Sequence, residues 1–229
     1  MGLIKMNNDS ILKEKEVVSE DKQKEFVNYI LAKMAEVDKA TKVFQATFSN
    51  YSKGYYKEGK KTEAIHEETI TARMTFEKPL KVFLDVIDSP KDIAIGSKLL
   101  YTGGDNVKVR AAGILGLIPV SFSINDPMFS DTRNHKILAT VDGLKRIIKD
   151  DTKAEIIGMS EINGREVYLI KIDAKEKLDP QITHEIMGVD SQTFVVLLNE
   201  MYVNDELVSQ YKVTDIKTNI ELEDDFFHL

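Results

Sequence analysis

The 229-residue chain contains no cysteine and no tryptophan. The lack of cysteine excludes disulfides, thiolate metal sites and cysteine nucleophiles together. The sequence also has no uninterrupted apolar run of about 20 residues, the length that a helix needs to span a bilayer. We therefore expect no integral membrane segment.

Positive charge is not in excess, because 31 Lys and Arg residues face 38 Asp and Glu residues and the net charge is −7. Binding to a nucleic-acid backbone requires clustered basic side chains that neutralise phosphates, so this class of partner is excluded. The first residues carry no apolar stretch followed by small residues of a cleavage site. We expect that any leader is absent from this chain.

Residue patterns for catalysis and metal binding are missing as well. His66 and Glu68 would share one face of a strand while Glu67 points away, which leaves too few ligands for a metal. No serine lies in a Gly-x-Ser-x-Gly frame, and Gly103-Gly104-Asp105 is typical of a hairpin turn rather than a phosphate loop. The sequence predicts no catalytic residues, no metal and no cofactor, and a protein that is not an enzyme.

The first element that the sequence predicts is a helix. Ser19 can cap it, and Phe26, Ile30, Met34 and Val37 recur at helical spacing, which predicts a helix from residue 19 to about residue 40. Residues 1–18 show no clean period, and we expect a flexible tail there.

After residue 41 the period of apolar residues changes to two, which is typical of strands. Residues 41–48, 70–76 and 82–87 predict strands, and residues 98–102 and 107–109 predict a hairpin. Residues 155–161, 166–172, 183–189, 193–203 and 207–216 predict a five-stranded meander, with a tight turn at Asn163-Gly164. A second helix is predicted over residues 132–148, weakened by Gly143.

Residues 111–120 form an uncharged apolar run with two glycines and a proline, a composition that makes a poor helix interior. Two interpretations stay open: a loop buried in the core, or an apolar flap over a cavity. The segregation of helices and strands favours an α+β fold with one large, curved antiparallel sheet and two or more helices packed against its concave face. We predict one domain over residues 19–229.

The helix, the long antiparallel meander and the closing strand and turn, residues 211–226, resemble the LolA/LolB-like lipoprotein-carrier superfamily. The middle of the chain is closest to a bacterial family of unknown function related to it. That similarity lies in residues 76–84, in Leu100 to Asn106, in the apolar run and in residues 133–144.

This resemblance implies an unclosed β-barrel with helices as a lid over an apolar cavity, in a periplasmic or outer-membrane-associated protein. The expected function is non-enzymatic binding of a lipid, acyl chain or other apolar ligand, in lipoprotein or envelope lipid trafficking. The alternative is a protein-interaction or sensor module of the envelope whose cavity is filled by its own side chains. Another envelope protein is a candidate partner. The expected ligand-binding residues are Phe83, Leu115, Leu117, Ile118, Phe122, Arg133 and His135.

Overall fold

The computed structural model describes residues 20–53, 67–113, 116, 118–123, 153–173 and 182–229. These residues form a long helix, a short 3-10 helix and eleven strands. In chain order the elements are α1 (Glu20–Ala40), β1 (Val43–Lys53), β2 (Glu67–Glu77), β3 (Lys81–Asp88), the 3-10 helix η1 (Asp92–Ala94), β4 (Lys98–Tyr101), β5 (Asn106–Arg110), β6 (Val120–Ser123), β7 (Lys153–Ile162), β8 (Arg165–Asp173), β9 (His184–Asp190), β10 (Val196–Val203) and β11 (Glu206–Thr218).

All the strands belong to one antiparallel sheet with the order β6-β5-β4-β3-β2-β1-β11-β10-β9-β8-β7. The sheet consists of two meanders, β1 to β6 and β7 to β11, which join where β1 pairs with β11. Strands β6 and β7 are its two edges, so the sheet is not closed into a barrel. The predicted fold class, α+β with a large unclosed antiparallel sheet, is confirmed.

Helix α1 packs against one end of this sheet. Its side chains Val27, Ile30, Leu31 and Met34 are buried, in a cluster with the strand residues Ile170, Ile172, Met187 and Val189. The sequence analysis placed Phe26 on the buried face, but its side chain is 40% exposed. Phe26 instead lies edge-on to Tyr168, with ring centroids 5.4 Å apart. The buried face of α1 is therefore rotated about the helix axis by about one residue from the predicted buried face.

The carboxyl end of α1 is held by polar contacts. Thr41 Oγ1 donates a hydrogen bond to the carbonyl of Val37 at 2.8 Å. Lys78, in the turn between β2 and β3, lies 3.1 Å from the Asp38 carboxylate and also donates to the Asp38 carbonyl. These contacts satisfy carbonyl groups that a helix end leaves without partners.

Strand β10 is buried on both of its faces. Leu198, which lies opposite Gly188, is 7% exposed, and Met201, which lies on the other face opposite Glu185, is also 7% exposed. Gly188 on the neighbouring strand makes room for this packing, since a Cβ atom there would lie 2.9 Å from the Leu198 Cβ.

Most predicted elements occur near their predicted bounds, and Asn163 and Gly164 both have the positive φ that their tight turn requires. Strand β6 was not predicted as a separate strand, because it is only four residues long and follows the apolar run. The described residues contain one α-helix; the second predicted helix, over residues 132–148, and the predicted tail lie outside them.

Candidate functional site

One face of the sheet is apolar across the whole first meander. Residues directly opposite each other in paired strands share a face, so the register traces this surface from strand to strand. Phe48 lies opposite Ala72, which lies opposite Val86, and Ala46, Met74 and Leu84 form the next row. We call this surface the apolar face. From β1 to β6 it carries Phe44, Ala46, Phe48, Ile70, Ala72, Met74, Phe76, Val82, Leu84, Val86, Leu99, Tyr101, Val107, Val109, Val120 and Phe122.

Helix α1 covers the other end of the same face. Its strand partners Ile170 and Met187 lie opposite each other in β8 and β9, and Met187 lies opposite Asn199 in β10. Tracing this row across Tyr211 reaches Asn50 and then Ile70, on the apolar face of the first meander. The helix-covered core and the apolar face of β1 to β6 therefore form one continuous surface.

The apolar run joins β5 to β6 at the edge of the sheet. The backbone amide of Ala112 donates to the Ser97 hydroxyl at 3.1 Å, which fastens the start of the run to the loop before β4. A Cβ atom at Gly116 would lie 1.9 Å from the Ala111 carbonyl oxygen, so only glycine fits at this position. At the other end of the run, Ile118 is 75% exposed.

The structure places Phe83 on the face opposite to the apolar face. Phe83 lies opposite Thr75 in β2 and Leu100 in β4, one residue out of phase with Val82 and Leu84. Its ring packs against Phe226, with centroids 5.4 Å apart, and Phe226 in turn contacts Phe227. The two aromatic residues near the end of the chain thus pack back onto the sheet.

Of the other predicted ligand-binding residues, the structure describes Phe122 and Ile118. Phe122 lies on the apolar face opposite Val107, and Ile118 lies in the exposed part of the apolar run. Leu115, Leu117, Arg133 and His135 lie outside the described residues. The ligand-binding role of the set stays a prediction.

Sequence reasoning missed a group of polar side chains on the apolar face, at Asn50, Glu185, Asn199 and Ser209. We call these four residues the polar cluster. Asn199 Nδ2 donates to Glu185 Oε2 at 3.5 Å, and both Glu185 and Ser209 are about 5% exposed or less. The signal was present in β1, where the apolar positions 44, 46 and 48 are followed by Asn50 and Ser52 at the same spacing.

A shallow open groove of about 370 Å³ lies on the opposite face, where β1, β2 and β11 pair. It is lined by Ser49, Tyr51, Thr69, Leu207, Gln210 and Lys212. Beside it, Glu200 accepts hydrogen bonds from Tyr202 at 2.8 Å and from Gln210 at 2.6 Å. Because this groove faces away from the apolar face, it is not the predicted apolar cavity.

The tyrosines at this groove are not activated for proton transfer. Burial raises the pKa of the Tyr202 phenol, and its hydrogen bond to Glu200 raises the pKa further. Burial, together with the nearby Glu67 carboxylate, likewise raises the pKa of Tyr51. Both phenols therefore stay protonated at neutral pH and can serve as hydrogen-bond donors, but not as general bases.

Within the described residues, no group of three or more histidine, aspartate and glutamate side chains is arranged to hold a metal ion. No helix in the same part of the chain is both long enough and apolar enough to cross a membrane.

No protein-family model matches the chain, and no curated protein matches its sequence. Solved structures do match. An uncharacterised conserved protein from Thermus thermophilus is 10% identical at a TM-score of 0.52, with 88% of this chain and 92% of that chain covered. This likeness shows a shared fold.

Two further matches have lower TM-scores. The Mycobacterium tuberculosis lipoprotein LppX is 11% identical at a TM-score of 0.48, with 86% of this chain and 99% of that chain covered. A LolA superfamily protein from Nitrosomonas europaea is 13% identical at a TM-score of 0.38, with 88% of this chain and 97% of that chain covered. The architecture predicted from the sequence, an unclosed antiparallel sheet with a helix on one face, is the architecture found.

Proposed function

We propose that the protein is a non-enzymatic binding protein of the cell envelope, which holds a lipid, an acyl chain or another apolar ligand against the apolar face. The observation that carries this proposal is the continuity of that face over six neighbouring strands of an open sheet. A periplasmic or outer-membrane-associated location and a role in lipoprotein or lipid trafficking belong to the same proposal.

Burial of apolar surface area alone can supply the free energy of such binding. Burial of each methylene group contributes about 0.8 kcal/mol, so about ten buried methylenes supply about 8 kcal/mol, which corresponds to micromolar affinity. Phe48, Ala72 and Leu84, which are half-buried within the chain, offer a chain-shaped ligand apolar partners on three adjacent strands.

The apolar run fits this proposal as a gate beside the face. Its start is fastened to Ser97, while Ile118 and Val120 at its far end expose 75% and 53% of their surface. We place the movement that admits a ligand in this run, because its two ends lie on β5 and β6, at the edge of the sheet.

The alternative function, an interaction or sensor module with a self-filled cavity, is favoured by one observation. Ala46, Val82 and Val107 on the apolar face are each only 1% exposed, and Met74 is 7% exposed. Side chains that the chain already buries have less surface to offer a ligand, so part of the face is closed in this structure.

Native mass spectrometry, followed by denaturation to release any bound molecule, separates the two functions. A co-purifying mass of fatty-acid or phospholipid size supports lipid binding. Titration with a lipophilic dye provides the second measurement. A clean mass without ligand, together with no dye uptake, would contradict lipid binding and favour the interaction module.

A pair of variants on β2 locates the ligand. Ala72→Gln places a polar side chain on the apolar face, whereas Thr71→Gln places the same side chain on the opposite face. We expect Ala72→Gln to weaken dye binding at least about tenfold, the effect of losing about 1.4 kcal/mol, and Thr71→Gln to leave it unchanged. Circular dichroism on both variants controls for folding, and equal loss in both would contradict a site on the apolar face.

A further inference from the structure

The exposed large apolar side chains of the described residues fall into two groups, at opposite ends of the strand order. The first group lies on α1 and on the edge strand β7, and consists of Phe26, Tyr29, Ile157 and Met159. The second group is wholly aliphatic, and consists of Ile87, Ile95, Ile118 and Val120. We call the second group the apolar rim. Exposed apolar side chains that gather in one place mark a contact with a partner.

The apolar rim lies at one side of the sheet, where β3 ends, β4 begins, β5 ends and β6 begins. The Gly96 amide donates to the Val86 carbonyl at 2.7 Å, so that the residues next to them, Ile95 and Ile87, lie at the same turn. The apolar run reaches this turn as well, because a Cβ atom at Gly96 would lie 3.7 Å from the Ala112 Cβ. The rim is therefore one surface, although separate segments of the chain carry its side chains.

Ile118 is the most exposed large apolar side chain in the part of the chain that the structure describes. Val120 follows it at the start of β6 and lies opposite Val109, two residues before the apolar run begins. The whole run, residues 111–120, contains no charged residue. Charged side chains oppose entry into hydrocarbon, and the run does not carry this penalty.

The charges around the apolar rim are balanced. Residues 85–98 and 110–120, which carry the rim, contain three basic and three acidic side chains, whereas the whole chain has a net charge of −7. Two of the basic residues, Lys98 and Arg110, lie opposite each other in β4 and β5, directly behind the rim. Asp85 lies opposite Lys98 on its other side, but the buried Nε of Arg110 has no hydrogen-bond partner among the described residues. An anionic group close to these two cations would be attracted by them.

The composition of the rim favours a lipid bilayer over a protein as the partner. Isoleucine and valine are among the side chains that partition most favourably into the bilayer interior. Protein interfaces instead favour aromatic side chains and methionine, which occur in the first group and not in the rim. Basic side chains beside inserted apolar ones suit the phosphates of the head groups, which they reach by extending along the apolar surface.

We propose that the apolar rim inserts into one leaflet of a phospholipid bilayer, with Lys98 and Arg110 at the level of the head-group phosphates. This inference goes beyond ligand binding, because the contact needs no ligand on the apolar face. It brings the gate, the apolar run, to the surface from which a lipid would be taken. The contact is reversible, since it rests on only four aliphatic side chains.

A fluorescent label at a single position tests the insertion. The chain contains no cysteine, so Ile118→Cys and Ile157→Cys each create one attachment site for a polarity-sensitive label. On addition of phosphatidylcholine vesicles, the label at position 118 is expected to shift its emission to shorter wavelength, and spin-labelled lipids should quench it. The label at position 157, exposed on β7, should show neither effect. The same behaviour at both positions would overturn the inference.

Ile95→Asp is the test variant, because Ile95 lies on the rim but outside both the apolar face and the apolar run. We expect its co-sedimentation with phosphatidylcholine vesicles to fall at least about tenfold, since a charged side chain is costly in hydrocarbon. Ile157→Asp, the same change at an exposed isoleucine of β7, should leave co-sedimentation unchanged. Neither variant should change the binding of a lipophilic dye without vesicles, and thermal melts control for folding. If Ile95→Asp does not fold, the label at position 118 decides the matter.

A further variant tests the contact with the phosphates. Arg110→Gln is expected to weaken binding to vesicles of phosphatidylcholine and phosphatidylglycerol about fivefold at low salt, and this difference should vanish at high salt. Equal binding of the variant and the wild type at low salt would overturn the role of Arg110.

The outcomes separate the two proposals. Dye binding without vesicle binding would overturn the membrane contact and leave ligand binding standing. Vesicle binding that Ile95→Asp weakens, together with no dye uptake, would support the membrane contact while the proposed function fails. Vesicle binding that Ile95→Asp and Ile157→Asp weaken equally would place the contact outside the apolar rim and overturn the inference.

Discussion

The two ends of the continuous surface differ in how they are closed. At the β7 to β10 end, α1 supplies four buried side chains, and Ile30, Ile170 and Val189 there are 0% exposed. At the β1 to β6 end the same surface carries half-buried side chains such as Phe48 and Leu84, with a buried polar cluster between the two ends. One end is built as a core, and the other retains surface that a ligand can still cover.

Within one sheet, folding buries some apolar side chains completely, whereas others keep exposed area that a ligand can bury. Side chains that are fully packed stabilise the fold and cannot contribute again when a ligand arrives. Half-buried apolar side chains contribute less to folding, but they can still lose exposed area in a complex. Substitutions at the two ends should therefore have different costs in stability.

The largest difference is expected between Ile30→Ala and Leu84→Ala. Ile30 is fully buried under α1, and its truncation leaves a cavity that should lower the free energy of unfolding by about 4 kcal/mol. Leu84 is half-buried, and its truncation should cost about half as much. Urea denaturation of both variants measures this, and equal costs would contradict the distinction between the two ends.

The second test concerns Asp190, which fastens the end of β9 in the helix-covered half. Its Oδ1 accepts from the Thr193 amide at 2.6 Å and from the Thr193 hydroxyl at 2.8 Å, and its Oδ2 lies 2.8 Å from Arg165 Nε. Burial alone would raise the pKa of Asp190, but the hydrogen bonds from Thr193 and Gln192 and the charge of Arg165 lower it below its ordinary value.

Asp190→Asn should lower the free energy of unfolding by about 2 to 3 kcal/mol at neutral pH. Because the folded pKa is depressed, this stabilisation is fully present above the ordinary pKa of aspartate. It is lost as the pH falls through the lower pKa of the folded state. Denaturation curves of the wild type and variant from pH 7 to pH 2 should converge at the acid end, and a difference that does not change with pH would show that the carboxylate charge is not responsible.

A third and smaller effect is expected at Gly188 in β9, which lies opposite the buried Leu198 of β10. In Gly188→Ala the new Cβ would lie 2.9 Å from Leu198 Cβ and 3.2 Å from Ile162 Cδ1, so the neighbours must shift. The expected loss is about 1 to 2 kcal/mol. Gly164→Ala would not serve as a control, because Gly164 has a positive φ of 74°. Urea denaturation of Gly188→Ala measures this loss, and an unchanged free energy of unfolding would contradict the close approach of Gly188 to Leu198.

The smallest effect is expected at Lys78, where α1 ends against the turn between β2 and β3. Lys78 and Asp38 are both about 30% exposed, and Lys78→Ala should cost less than about 1 kcal/mol. Lys33→Ala on the same helix, whose ion pair with Glu36 is more exposed, is the control and should cost nearly nothing. Thermal melts at low and high salt test both, and only the Lys78 effect should persist in high salt.

The sequence predicted most strands near their observed bounds because many of them show a period of two in their own residues. Phe44, Ala46 and Phe48 identify a half-buried strand without reference to any other part of the chain. The apolar face follows from the same pattern, since paired strands must align their apolar sides.

Contacts between distant residues could not be predicted in the same way. The face on which Phe83 lies depends on the register of β3 against β2, in which Val82 lies opposite Phe76. Because β3 is apolar on both sides, its own sequence does not indicate which side faces the core. The polar cluster depends on Asn50 and Asn199 being brought to one face of the sheet from the two strands that flank β11, although they lie about 150 positions apart in the sequence. No pattern among neighbouring residues in the sequence indicates such a long-range contact.

The pairing of β1 with β11 also constrains how the chain can fold as it is synthesised. The first strand of the sheet, residues 43–53, finds its partner only in residues 206–218, close to the carboxyl terminus. Each meander can form from near neighbours, but the seam between them waits until β11 has left the ribosome. Contacts of such long sequence separation slow folding. Until β11 is synthesised, β1 therefore lacks one of its two neighbouring strands, and the nascent chain is exposed there to chaperones.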